Sequence, residues 1–114
     1  MSDKNPAQGC PVEATMSIIG GKWKPLIIFH LKDGKKRFGE LHRCIPKVSR
    51  HMLTVQLREL EADGIVHREV YAQVPPKVEY WLTEMGRTLD PILDMMLQWG
   101  LAYQRGEITT EDGG

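Results

Sequence analysis

The sequence lacks several features that would place it outside the ordinary globular proteins. Its longest unbroken run of aliphatic and aromatic residues is 26–29, whereas a membrane-spanning helix needs roughly 18 or more such residues. No basic, then apolar, then small-residue segment opens the chain, so we expect no secretory signal. Two cysteines, Cys10 and Cys44, are too few for a disulfide scaffold. We therefore expect a cytoplasmic protein with reduced thiols and no membrane partner.

The sequence also lacks the motifs that are typical of enzymes. Gly20, Gly21 and Lys22 resemble a phosphate-binding loop only superficially, because the earlier glycine is not at the required spacing and no serine or threonine follows the lysine. No serine lies in a nucleophile-elbow setting. His42 and Cys44 supply only two of the four ligands that a zinc site usually needs. We therefore expect no catalytic residue, no cofactor and no metal.

A net charge of zero over 114 residues hides an uneven distribution of charge. Residues 22–58 carry ten basic and two acidic side chains, whereas residues 59–114 carry four basic and eleven acidic ones. The central block is therefore strongly positive and the C-terminal block is strongly negative. A positive block of this size is typical of a face that binds a polyanion. The alternative is a chance cluster of solvated charges.

Apolar spacing and turn residues predict five helices and one hairpin in a single domain. We expect helices at 11–19, 25–31, 38–44, 49–62 and 84–105, and strands at 65–72 and 77–82. The fold class is α+β and mostly α. Two prolines between the strands cannot donate to a ladder, so they mark the tip of the hairpin. We expect a flexible arm at 1–9, the folded domain at 10–106 and a flexible tail at 107–114.

The fourth helix has the asymmetry of a DNA-reading helix. Ser49 is its expected N-cap, and its buried stripe is expected to be Leu53, Leu57 and Leu60. Basic and polar side chains lie in its N-terminal half, and acidic side chains that phosphates would repel lie in its C-terminal part. Together with the third helix and the turn at 45–48 it forms a helix-turn-helix, followed by a β-hairpin wing. The fourth helix should therefore enter the major groove by its N-terminal end.

The expected DNA-binding residues come from the approach to this motif, the fourth helix and the wing. They are Lys36, Arg37, Lys47, Ser49, Arg50, His51, Thr54, Val55, Arg58, Gln73 and Lys77. Arg50 and Arg58 can donate to guanine or to phosphate, and the side chains of Thr54 and Val55 can meet a thymine methyl. Solvated surface side chains are the alternative reading, and for Arg37 a further one is an ion pair with the wing.

The final helix carries an apolar stripe too wide to bury in so small a domain. We therefore expect a homodimer, and the alternative is a helix that packs only on its own core. The expected interface residues are Val12, Met16, Leu89, Ile92, Leu93, Met96, Trp99 and Tyr103.

Five short motifs, in this order and spacing, resemble the HxlR-type transcriptional regulators of the MarR-like winged-helix group. The motifs are Cys10-Pro11, Gly20-Gly21-Lys22-Trp23, Arg37-Phe38-Gly39-Glu40-Leu41, the segment 52–66 and the segment 74–83. The resemblance spans about residues 10–100. It implies a winged helix-turn-helix with a C-terminal dimerisation helix, which binds a palindromic double-stranded DNA operator as a homodimer. The operator sequence is not implied, because Arg50 and His51 occupy variable positions.

The early cysteine of the first motif is a candidate redox sensor. Cys10 lies at the start of the first helix, and a helix N-terminus favours the reactive thiolate. The hypothesis is that an oxidant or small-molecule electrophile modifies Cys10 and shifts the dimer geometry; the alternative is an inert thiol. Cys44 lies outside the family pattern and is given no role. The competing function is a winged-helix protein-interaction module without specific DNA binding.

Overall fold

The computed structural model describes residues 9–110 and places six helices and three strands in them. In chain order these are α1 Pro11–Ile19, α2 Lys24–Leu31, β1 Lys36–Arg37, α3 Phe38–Cys44, α4 Arg50–Ala62, β2 Val66–Tyr71, β3 Lys77–Leu82, α5 Glu84–Arg87 and α6 Asp90–Gln104. Helix accounts for about 55% of the structure, which confirms the expected fold class. Most of the expected arm and half of the expected tail lie outside the described residues.

One apolar cluster forms the core and joins the helices to the sheet. The expected inner stripe of α4, Leu53, Leu57 and Leu60, is at most 1% exposed, which confirms the helical period predicted for this segment. Helix α2 contributes Ile27, Ile28 and Leu31 to the same cluster, and the remaining members come from α1, α3, α6, the turns and the strands. The core therefore lies directly behind α4 and fixes which face of that helix stays in solvent.

The sheet is antiparallel and has the strand order β1-β3-β2. The expected hairpin is confirmed, because β2 pairs with β3 from Val66 opposite Leu82 to Tyr71 opposite Lys77. Strand β1 was not expected from the sequence. It places Lys36 opposite Tyr80 and Arg37 opposite Glu79, and so attaches the base of the wing to the start of α3.

A single turn sets the angle between α4 and the wing. Gly64 adopts φ +79°, a left-handed conformation that glycine reaches without steric cost. Its N–H donates to the Glu61 carbonyl at 3.0 Å, and the Ile65 N–H donates to the Leu60 carbonyl at 2.9 Å. These two bonds form a Schellman motif, in which the apolar residues at its two ends usually touch. Since Leu60 and Ile65 are both buried, α4 ends at a fixed point and β2 begins at once.

The C-terminal helical region is broken, which corrects the expected single helix from residue 84 to about 105. Helix α5 ends at Arg87, and α6 begins at Asp90. Pro91 explains the break, because it has no N–H to donate to the carbonyl four residues earlier and its ring clashes with that carbonyl. The same proline suits the first turn of a new helix. Thr83 is confirmed as the N-cap of α5, since its Oγ1 accepts from the Gly86 N–H at 3.0 Å.

Candidate nucleic-acid interface

One side-chain hydrogen bond and two buried apolar side chains fix the turn between α3 and α4. His42 Nε2 donates to the Val48 carbonyl at 2.7 Å, because a carbonyl oxygen can only accept. Ile45 and Val48, at the two ends of the turn, are both buried in the core cluster. The turn therefore holds α3 and α4 as one unit, as a helix-turn-helix requires.

The N-terminus of α4 is capped as expected. The Ser49 Oγ accepts from the Met52 N–H at 3.0 Å, which satisfies one of the free donors at the start of the helix. One turn later, the Thr54 hydroxyl donates to the Arg50 carbonyl at 3.0 Å. The methyl group of Thr54 is therefore the part of this side chain that is left for an apolar contact.

The outer face of α4 presents the side chains that the sequence places there. Arg50, His51, Thr54 and Arg58 are exposed, and Val55 is half-buried. At 1.5 Å per residue, Arg50 and Arg58 lie about 12 Å apart along the helix axis. The DNA major groove is about 12 Å wide and admits an α-helix, whose diameter with side chains is about 10–12 Å. The face therefore has the size and the polarity to lie in that groove.

The structure divides the basic block of the sequence into two groups. Lys24 is only 9% exposed, and its Nζ lies 2.6 Å from Glu59 Oε1 of α4. Lys32 Nζ lies 3.3 Å from Asp90 Oδ1 at the start of α6. These two lysines connect helices to one another, so their charges are already balanced within the fold.

The second group has no acidic partner within the part of the chain that the structure describes. Lys47, Arg50 and Arg58 are exposed and form no ion pair there. Arg37 also forms none, so the alternative of an ion pair with the wing finds no support; its backbone N–H donates to Glu40 Oε1 at 2.8 Å. Lys36 is half-buried in β1. This group supplies the positive charge that remains available to a polyanion.

The wing carries fewer free charges than the sequence suggested. Lys77 Nζ lies 3.7 Å from Glu79 Oε2 and 5.1 Å from the centre of the Tyr71 ring. The Tyr71 hydroxyl donates to Glu79 Oε1 at 3.0 Å, and this hydrogen bond raises the pKa of Tyr71. Lys77 is therefore partly balanced at the tip end of the strand pair, whereas Gln73 in the loop between the strands is exposed.

Helices α1 and α6 expose a large apolar surface. Trp99 and Tyr103 are 59% and 62% exposed, and their rings stack at a centroid distance of 5.5 Å. The other exposed large apolar side chains of these two helices are Val12, Met16, Ile92, Met95, Met96 and Leu97. Met95 and Leu97 lie beside the expected interface residues but were not among them.

Two of the expected interface residues face the protomer's own core instead. Leu93 is 4% exposed and belongs to the core cluster, and Leu89 is half-buried against that cluster. The break at Pro91 accounts for Leu89, because it places this residue in the turn before α6 rather than in the apolar stripe of one long helix. Little of either side chain is left for a partner.

Cys10 lies where the sequence placed it, at the N-cap of α1. Its thiol is free and exposed, and its backbone N–H lies 3.4 Å from Glu13 Oε1. Val12 and Met16 follow on the same helix and are exposed, so the helix that begins at Cys10 also exposes apolar side chains. Cys44 is half-buried at the end of α3.

Residues 9–110 contain neither a membrane-spanning helix nor a metal-binding cluster. No helix in this range is long and apolar enough to cross a membrane. No group of three or more histidine, cysteine, aspartate or glutamate side chains in the same range is arranged to hold a metal ion.

Comparison with known proteins identifies relatives over most of the chain. The family model of the HxlR-like helix-turn-helix matches residues 18–107. The chain is 62% identical over 97 residues to the uncharacterized HTH-type transcriptional regulator YdeP of Bacillus subtilis (strain 168). That alignment covers 85% of this chain and 76% of YdeP.

Solved structures give the same result. The redox regulator HypR in its oxidized form is 64% identical with a TM-score of 0.79, over 82% of this chain and 96% of HypR. The diamide-treated YodB of B. subtilis is 43% identical with a TM-score of 0.69, over 84% of this chain and 94% of YodB. The expected winged helix-turn-helix fold and the resemblance stated from the sequence are thus confirmed. The chain belongs to the HxlR-like helix-turn-helix family.

Proposed function

We propose that the protein is a transcriptional regulator that binds a palindromic double-stranded DNA operator as a homodimer. Helix α4 is the recognition helix in this proposal, and the β2–β3 hairpin is the wing. The observation that carries the proposal is the outer face of α4, where Arg50 and Arg58 are exposed without an acidic partner among residues 9–110. The names of the curated relatives, which are HTH-type transcriptional regulators, support it.

Binding to duplex DNA is tested by selection from a random library, followed by titration against the selected duplex and a scrambled one at two salt concentrations. Affinity should fall steeply with salt, because bound lysines and arginines release counterions from the duplex. Arg58→Ala should weaken binding to the selected duplex more than to the scrambled one, whereas Lys47→Ala should weaken both alike. Salt-independent or absent binding would favour a protein-interaction module. If each variant lost equal affinity for the selected and the scrambled duplex, the different roles assigned to Arg58 and Lys47 would be contradicted.

The homodimer is supported by the exposed apolar surface of α1 and α6, defined above by Val12, Met16 and the α6 side chains. Two copies that bury this surface would place two recognition helices in successive major grooves, about 34–36 Å apart. Met96→Asp should shift the sedimentation of the protein from dimer to monomer, because an unpaired charge is costly in an apolar interface. Lys22→Asp, an exposed change near α2, is the control. A wild-type protein that sediments as a monomer at every concentration would refute the homodimer.

Cys10 is proposed as the sensor of an oxidant or an electrophile. Its exposed thiol lies at the N-terminus of α1, the helix that exposes Val12 and Met16, and structural neighbours include HypR in oxidized and reduced forms. A quinone is a suitable probe: the Cys10 sulfur adds to one carbon of the activated double bond, the thiol proton passes to one quinone oxygen, and the ring proton at the attacked carbon passes to the other oxygen. The product is a thioether hydroquinone, and no further reactant is needed. A bulky polar group at α1 would then change the packing between protomers.

The sensor is tested by mass spectrometry and duplex titration before and after treatment with benzoquinone. Wild-type protein should gain one adduct at Cys10 and change its affinity for the selected duplex, whereas Cys10→Ser should do neither. Cys44→Ser is the matched control and should respond like the wild type. An undiminished response of Cys10→Ser would remove Cys10 from the mechanism.

A further inference from the structure

Arg50 differs from the other basic residue of the recognition helix, Arg58, because an aromatic ring lies against its guanidinium group. The guanidinium carbon of Arg50, in the first turn of α4, lies 4.7 Å from the centre of the Phe38 ring. Phe38 is the first residue of α3 and packs partly against the core cluster. Its other neighbour is His42, with ring centroids 6.3 Å apart. Phe38 is therefore a supported aromatic surface that spans the two helices of the motif.

This contact leaves the hydrogen-bonding capacity of Arg50 unused. A cation over an aromatic ring is held by the ring's quadrupole, and the contact uses no N–H donor. Within the described part of the chain, no hydrogen bond or ion pair engages the Arg50 guanidinium. A guanidinium has five donors in a rigid fork, and that fork matches two acceptors in one plane. Arg50 is thus restrained in position while its donors stay available.

We propose that Phe38 is a positioning residue that holds Arg50 for bidentate hydrogen bonding to a guanine, and that Arg50 determines the specificity of α4. The inference deepens the proposed function and rests on it. Guanine O6 and N7 are the paired major-groove acceptors that a guanidinium fork fits best. Restraint by Phe38 lowers the entropy lost when two bonds must form together. Arg58 has no aromatic ring beneath it in the described structure, so it keeps more freedom to contact either phosphate or base.

The experiment uses the duplex that wild-type protein selects from a random library. Each guanine of one half-site is replaced in turn by 7-deazaguanine, which lacks the N7 acceptor. Wild-type protein should lose about tenfold in affinity at one such guanine, and Arg50→Ala should be insensitive to the same replacement. Phe38→Leu should weaken binding about fivefold per half-site and should have no effect when Arg50 is already alanine.

The remaining variants separate positioning from simple loss of structure. Phe38→Tyr keeps an aromatic ring and should retain the affinity and the sensitivity to 7-deazaguanine. Phe29→Leu is the matched control, because Phe29 also lies under a cation, with Lys32 Nζ at 5.4 Å, but belongs to α2. It should leave the discrimination unchanged. Circular dichroism and urea unfolding check that each variant is folded.

Three results would overturn the proposal in distinguishable ways. If Phe38→Leu weakens binding as much in the Arg50→Ala background as in the wild type, Phe38 does not act through Arg50. If no 7-deazaguanine lowers wild-type affinity, or Arg50→Ala weakens selected and scrambled duplexes alike, then Arg50 contacts phosphate only. If the wild type binds no duplex, the proposed function itself fails.

Discussion

Replacing Lys24 by alanine tests whether this lysine stabilises the fold and takes no part in binding DNA. The Lys24 side chain is 11% exposed and that of its partner Glu59 is 51% exposed. Removing one partner of a fully buried ion pair costs about 3–5 kcal/mol, whereas a surface pair contributes about 0–1 kcal/mol. With one partner half in solvent, we expect Lys24→Ala to lower the free energy of unfolding by about 2 kcal/mol. Part of that loss comes from the packing contacts of the Lys24 methylene groups, which alanine does not make.

Lys32→Ala is the matched control for this prediction. Lys32 and Asp90 are 28% and 52% exposed and lie 3.3 Å apart, so their pair should contribute only about 0.5 kcal/mol. Urea unfolding followed by circular dichroism measures both variants and their difference. A Lys24→Ala variant no less stable than Lys32→Ala would show that the Lys24–Glu59 pair does not stabilise the fold.

The Lys24→Ala variant also tests the prediction that Lys24 does not contact DNA. Because Lys24 is buried against Glu59, it should not neutralise a phosphate. The slope of log affinity against log salt should therefore be unchanged in Lys24→Ala, whereas Lys47→Ala should reduce it by about one unit per protomer. A reduced slope in Lys24→Ala would mean that the ion pair opens to meet DNA, and the division of the basic block would be wrong.

Two further predictions concern stability. Gly86→Ala should lower the free energy of unfolding by about 1–3 kcal/mol, because the added Cβ would overlap the Ile65 carbonyl oxygen; Gly39→Ala, which meets only a flexible arginine end at 3.8 Å, should raise it by about 0.5–1 kcal/mol. Urea midpoints that moved the same way for both would contradict this. Burial, and next the charge of Lys36, lower the pKa of His30, so protonation favours the unfolded chain and stability should decline as pH falls below about 6.5. His30→Gln should flatten this decline, and an identical pH profile in the variant would exclude His30 as its source.

The elements that the sequence predicts well are those whose signals are local. Helix α4 carries its own cap at Ser49, its own apolar stripe and its own stop at Gly64, so its bounds follow from the single segment 49–64. Strand β1 has only two residues, too few for a period, and exists because β3 lies beside it. Pro91 is the local signal for the interruption of the last helix, whereas the apolar repeat continues on both sides of it and by itself predicts one unbroken helix.

The sequence predicts which residues lie on the candidate interface, but it does not predict which residues their side chains contact. The exposed face of α4 follows from the helical period once the buried stripe is known. The pairing of Lys24 with Glu59 joins residues 35 apart in the chain, and no local pattern contains it. The contact between Arg50 and Phe38 likewise depends on how the turn between α3 and α4 packs, which His42 and Val48 determine.

The acidic end of α4 contributes to both stability and orientation. Glu59 forms an ion pair with the buried Lys24. Together with Glu61 and Asp63, it makes the C-terminal part of the helix acidic. Phosphates are repelled by that end and attracted by the N-terminal end, where Arg50 is exposed and the helix dipole is positive. A polyanion therefore meets a helix with one favourable direction of approach. This direction depends on where charges lie along α4, so it persists although the net charge of the chain is zero.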